Sequence, residues 1–256
     1  MFNLLLKRFF LAIRFFPLIT EPCHLNESPK ELGKAAYFFP LAGFFFGILS
    51  MACYLSFSFW LDIKIACSLA LLVLIFFYNG SRFWGCLRIV DRLLITRRLS
   101  FENRKHIRLK QGTFRAIFLF FIFCLKFFAL LHTGEGWIPS ILVLLPTISA
   151  WVYIYLAHSL ASSSKTEFKP FPHIKFIGNK QFWGATLITT VISVFFMGLE
   201  GLFLLMLLSL GTVTFERYVV NRNKKNLGGI LGLMLESCEL FFLITVLLMR
   251  DSFLIP

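Results

Sequence analysis

Apolar residues run along this chain in long blocks, without the strict alternation of half-buried strands. Seven blocks approach the roughly 20 residues that a helix needs to cross a hydrocarbon layer of about 30 Å, where only a helix or a closed barrel satisfies its own backbone. They cover about 36–60, 63–80, 113–132, 137–160, 182–199, 201–217 and 228–249. The fifth and sixth form one stretch, broken only at Met197, Gly198, Leu199, Glu200 and Gly201. Two glycines and an acid suit a tight turn, so two spans are expected there.

The first 18 residues have a different pattern. Asn3, Lys7 and Arg14 interrupt phenylalanine and leucine, and at 100° per residue they fall within about 40° of one another. This predicts a helix lying in the inner interface, its basic side chains snorkelling to lipid headgroups. No unbroken apolar core followed by small residues marks a cleavable leader. Residues 19–35, with Pro22 and Pro29, read as a polar connector completing this interfacial segment. Without a long internal repeat or low-complexity linker, residues 1–256 read as a single polytopic membrane domain.

Composition turns apolar blocks into an integral membrane protein. Apolar residues make up 58% of the chain, 34 residues are phenylalanine, and mean hydropathy is +0.78, beyond the balance of a soluble domain. The 26 basic and 13 acidic residues give a formal charge of +13. Such charges must gather between spans, so nucleic-acid binding is a poor explanation of the basicity. Five basic residues precede the first span, nine lie in 81–112, four in 161–181 and four in 216–227. The alternate set of segments holds Lys64 and Arg250, while Arg115 and Lys126 fall within the third block. The asymmetry predicts N-in/C-out orientation. The expected fold is an all-α integral membrane protein with about seven transmembrane helices, an N-terminal interfacial helix and one long basic cytoplasmic loop at 81–112.

Candidate chemistry concentrates in that loop and in two spans. Nine basic residues in 81–112 either reflect positive-inside bias and contact with anionic headgroups, or form a phosphate site, since arginine matches phosphate oxygens with a bidentate fork. Asp91 sits three residues after Arg88 and next to Arg92. It reads either as half of a surface ion pair or as a ligand for a hard divalent cation shared with substrate phosphates. In the last block Glu236 and Glu239 share one helix face. Carboxylates inside a membrane need a partner, and Lys126, Arg217 and Arg222 are the candidates. The alternatives are a functional charge site and a buried ion pair ordering helix packing. His158 reads as a hydrogen-bonded packing group. The six cysteines form no CxxC pair and read as small core residues, without a disulfide or zinc framework. The sequons at Asn26 and Asn79 read as chance occurrences, and no HExxH, Walker or G-x-S-x-G motif is present.

Several segments in order resemble the cobalamin synthase family, membrane enzymes also called adenosylcobinamide-GDP ribazoletransferases. "FFLAIRFFPLIT" is similar to the family's opening apolar helix, and "ELGKAAYFFPLAGFFFGIL" to its first-span signature, with Phe39, Pro40, Leu41 and Gly43. "KQGTFRAIFLFFIFCLKFFALL" resembles a span whose lysine is here Lys126, and "NLGGILGLMLESCELFFL" the family's last block. The resemblance implies a reaction that joins alpha-ribazole, or its 5'-phosphate, to adenosylcobinamide-GDP with release of GMP, using magnesium at the cytoplasmic side. Together with the loop charges, it implies a multi-pass protein of the bacterial inner membrane. Its partners would be these two substrates and the lipid bilayer, and a homo-oligomer stays open.

The chain departs from the family at its acids. Trp84, Arg88 and Asp91 stand where the family loop carries three aspartates. Ile107, Arg108, Leu109 and Lys110 replace a Lys-Asp-Ser-Arg stretch, and Leu231, Gly232 and Leu233 a Thr-Gly-Asp. Ala150 and "HSLAS" replace a span arginine and a Pro-Tyr-Ala-Arg segment. The resemblance thus leaves Asp91 as the residual magnesium ligand and catalytic residue, with Arg88, Arg92, Arg108 and Lys110 gripping phosphates and Lys126, Glu236 and Glu239 as intramembrane charge. Two other readings stand beside this one: a relative that binds corrinoid or nucleotide, or scaffolds a complex, without catalysis, and a transporter-like bundle using the buried charges as a relay.

Overall fold

The structure, a computed structural model, describes residues 2–15, 28–78, 87, 104–162, 171–219 and 227–253. Every regular element among them is helical: α1 (Phe2–Phe15), α2 (Pro29–Ala35), α3 (Phe39–Ser58), α4 (Ile63–Phe77), α5 (Arg104–His132), α6 (Ile138–Ser162), α7 (Asn179–Val219) and α8 (Leu227–Phe253). A 3-10 turn, Ala36–Phe38, joins α2 to α3, and a second 3-10 helix, Pro172–Phe176, precedes α7. Among the described residues four helices are long and apolar enough to cross a membrane: Pro29–Ser58, Ile138–Ala161, Asn179–Arg217 and Gly229–Arg250. Ile63–Phe77 and Ala116–His132 are shorter apolar helices.

Helix ends differ from the sequence expectation for local reasons. The connector expected over 19–35 turns helical at Pro29, because Ser28 accepts a hydrogen bond from the Glu31 amide at 3.3 Å. Proline at the first helical position and glutamate at the third complete that start signal. At the other end of α3, Asp62 accepts from the Lys64 amide at 2.8 Å and starts α4. Helix α5 begins at Arg104, well before the expected 113, since Arg104 to Gln111 contains neither proline nor glycine and several good helix formers. Arg108 and Lys110, read as part of a loop, therefore lie on the backbone of α5, though their side chains fall outside the described residues.

The chain turns back within α7. Gly198 takes φ +59° and ψ −140°, and a Cβ on Gly201 would stand 2.4 Å from the Ser193 carbonyl oxygen. Residues that far apart in a straight helix are separated by about 12 Å along the axis. The element of double length is thus a hairpin of two antiparallel halves, with its turn inside the "MGLEG" break.

Helix α6 occupies the centre, with 89% of its apolar window buried. Helix α3 packs antiparallel to it at very short range. A Cβ on Gly43 would lie 2.4 Å from the Pro146 oxygen, and one on Gly47 2.6 Å from the Val143 oxygen. Four residues apart, these glycines form the small-residue seam that lets membrane helices approach backbone to backbone. Large apolar side chains such as Phe76, Phe195 and Leu199 remain exposed around the periphery, as lipid-facing positions would.

The bundle has two chemically distinct ends. Arg250 donates a hydrogen bond to the His132 carbonyl, which brings the end of α8 to the α5–α6 turn, and the α7 hairpin turn joins them around one cavity. The antiparallel seam places the α3–α4 turn at this same end. The helix ends flanking residues 79–103, 163–170 and 220–226, which hold ten of the 26 basic residues, are at the other. Helix α1 also belongs there: it buries Leu11 and Ala12, and Arg8 pairs with Glu31 of α2 at 3.8 Å.

Candidate functional site

The last apolar helix carries its two glutamates one turn apart, which points both toward α5. Lys126 of α5 meets them, with Nζ 2.5 Å from Glu236 Oε2 and 2.5 Å from Glu239 Oε2. All three residues are buried. Glu239 Oε1 also accepts hydrogen bonds from the Ser149 hydroxyl of α6 and, at 3.4 Å, from the Tyr78 hydroxyl just past α4. Three other segments thus converge on one carboxylate of α8, about midway along α6.

This arrangement joins helices and leaves little room for a substrate. The void beside Tyr78, Phe123, Lys126 and Glu239 measures about 10 Å³, the lower limit for a single water. Of the cations proposed from sequence, the structure selects Lys126. Arg217 is near Glu216 and Tyr155 at the basic end, and Arg222 lies outside the described residues. Ser149 and Tyr78 were not singled out from the sequence. A serine within "TISAW" and a tyrosine closing an apolar run carry no periodic signal, and only the fold brings them to Glu239.

Other polar contacts gather toward the basic end. His158 Nε2 lies 2.7 Å from Asn179 Oδ1, with its ring stacked on Phe182, the packing role expected for it. Ser159 donates to Glu216. Under the second 3-10 helix, His173 Nε2 is 2.5 Å from the Tyr153 hydroxyl. His173 is buried, and that burial, which disfavours the charged ring, lowers its pKa from 6.5 to about 4. Between the second half of α7 and α8 lies a cavity of about 410 Å³, bounded by Thr212, Thr214, Phe215, Ser237, Cys238 and Phe241. It lies against the opposite side of α8 from Lys126.

Asp91, Arg88 and Arg92 lie outside the described residues, as do the side chains of Arg108 and Lys110. The structure neither assembles nor separates this set. No group of three His, Cys, Asp or Glu suited to a metal occurs among the described residues. Glu236 and Glu239 do not fit magnesium, because an ammonium already stands at 2.5 Å from both, where a divalent ion would need oxygen ligands in near-octahedral array. Cys53, Cys67, Cys124 and Cys238 are free thiols.

The sequence pattern of the cobalamin-5-phosphate synthases matches residues 8–247. The chain belongs to that family. Its members are membrane transferases of cobalamin biosynthesis that act on cobinamide-GDP and ribazole substrates, so membership agrees with the apolar helices and assigns the chain to cobalamin synthesis in general. The match includes the buried charge cluster, both 3-10 segments and the basic stretch 81–112. No curated protein and no solved structure matches the chain.

Proposed function

We propose that this cobalamin-5-phosphate synthase relative is an adenosylcobinamide-GDP ribazoletransferase of the bacterial inner membrane. It would cross the bilayer seven times, N-in/C-out. The family match over residues 8–247 carries the reading, and the gathering of the basic segments at one end of the bundle supports the orientation.

Release of GMP fixes the bond chemistry. A ribazole hydroxyl oxygen bonds to the phosphorus attached to cobinamide, the pyrophosphate bridge breaks, and its electrons leave with GMP while the hydroxyl proton passes to a base. Arg88, Arg92, Arg108 and Lys110 would bind the phosphate oxygens and offset charge as it builds on the leaving group. Asp91 is the remaining acid of the family loop, and with substrate phosphates it is where magnesium would be held. Magnesium would supply charge neutralisation at the pyrophosphate. The 410 Å³ cavity, with two phenylalanines and three hydroxyls, suits a planar heterocycle bearing a sugar. Phe215→Ala should then raise KM for ribazole and leave KM for adenosylcobinamide-GDP unchanged.

Turnover decides the proposal. Protein in lipid nanodiscs, given adenosylcobinamide-GDP with alpha-ribazole or its 5'-phosphate, should form cobalamin or its phosphate by mass spectrometry. Product should fall at least a hundredfold without magnesium or with Asp91→Asn, about the scale of losing one electrostatic stabiliser. The exchange of family acids for Trp84, Arg88, Arg108 and Leu233 favours a second reading, binding without turnover. Substrate retention with no product, beside an active family member, would establish that alternative.

A further inference from the structure

At the end of the bundle opposite the basic segments, two cavities share Trp137 and Glu200. The first, about 400 Å³, has a polar rim of Glu135, Glu200 and Arg250 over the apolar side chains of Leu204 and Val246. The second, about 520 Å³, continues past Phe196, Met197 and Leu199 and reaches the periphery, where Leu199 is 82% exposed. One lobe therefore carries charges of both signs, and the next is a shallow, mainly apolar groove open to the side.

The charged groups are held apart. One arm of the Arg250 guanidinium is fixed on the His132 carbonyl. The rest of it lies over Gly134, whose φ of +90° and 3.3 Å Cβ clearance from Arg250 Cζ favour glycine. Among the described residues, Arg250 forms no ion pair with Glu135 or Glu200, and neither acid bonds a side chain. Two carboxylates and one guanidinium thus face one cavity without neutralising one another.

We infer that this double cavity is a binding site for an amine-bearing phospholipid, its ammonium held by Glu135 and Glu200, its phosphate by Arg250 and one acyl chain in the lateral lobe beside Trp137. Phosphoethanolamine fits because it places a primary ammonium a few bonds from a phosphodiester, matching the mixed rim. A purely anionic headgroup would meet two carboxylates. The bilayer supplies such a lipid directly to a cavity open at the side, with Trp137 at the level where indoles anchor in an interface. The site is independent of the transferase reading.

Native mass spectrometry of the full chain in detergent, titrated with phosphatidylethanolamine or phosphatidylglycerol, tests the inference. The expected result is one tightly held phosphatidylethanolamine, preferred about tenfold, the size of one charge-assisted contact. Glu135→Gln with Glu200→Gln should abolish that preference, and Arg250→Gln should weaken both lipids. Because Arg250 also braces a turn, unfolding temperatures are measured alongside, and the exposed Glu135→Gln alone should still lower the preference severalfold. Equal binding of the two lipids, or a preference unchanged in the glutamine variants, would overturn the inference. Displacement of the bound lipid by free phosphoethanolamine would also overturn it, marking a site for a soluble amine phosphate.

Discussion

Lys126 is the cation that joins the two buried glutamates of α8. Its ammonium is shared between two buried carboxylates, so removing it leaves like charges facing each other in an apolar surround. Lys126→Met should destabilise the protein by on the order of 3–5 kcal/mol, as broken buried pairs do, with a lowered unfolding temperature in detergent. The triple variant Lys126→Met, Glu236→Leu and Glu239→Leu would be the control: it should recover most of that stability, since apolar groups of similar volume often substitute for a buried ion network. No recovery would mean that the charges do more than join helices. Sequence alone placed the glutamates on one face but left three cations open. The fold chose one by bringing α5 against α8.

At the scale of elements, the α3–α6 seam and the second 3-10 helix make separate predictions. Gly47→Leu would drive a side chain into the Val143 backbone at 2.6 Å, so the helices must part. A cost of roughly 1–3 kcal/mol is expected for such overpacking, read as a lower unfolding temperature, while Leu49→Ala on the exposed face should change little. His173 makes the 3-10 helix sensitive to acid. Its pKa falls from 6.5 to about 4 on folding, so the unfolded chain binds the proton more readily between those values. Stability is therefore complete above pH 6.5 and declines as the pH falls toward 4. Protection factors of the amides of residues 173–176, corrected for the pH dependence of intrinsic exchange, should fall from pH 7.5 to pH 5, and His173→Gln should flatten that dependence. The glycine pair could be seen in the sequence, but its partner could not, because a short-range seam depends on the facing backbone. Tyr153 and His173, twenty residues apart, meet only because the chain returns over the end of α6.

For the whole molecule, the topology is the testable property. If the basic end faces the cytoplasm, a single cysteine at Glu135, in a background with the native cysteines replaced, should react with an impermeant maleimide added to intact cells. One at Lys175 should react only after lysis. The reverse pattern would invert the orientation and count against the proposed binding of a cytoplasmic nucleotide substrate by the basic residues.

Hydrophobic block length and charge placement are properties of the linear chain, so they alone point to a helical membrane protein, the break within 197–201 and the separation of basic from apolar segments. Motif order, likewise linear, led to the family that the match over residues 8–247 establishes. The tertiary structure decided contacts across the chain: the pairing of Lys126 with Glu236 and Glu239, the hydroxyls at Glu239, the fold-back at Gly198 and the double cavity at Trp137. Those depend on which helix faces become neighbours, and helices that are apolar all round carry no periodic mark of the side they will bury. Helix extent lay between the two. The start of α5 at Arg104 follows from local propensity, yet a reading based on apolar length ended the span at the first polar run.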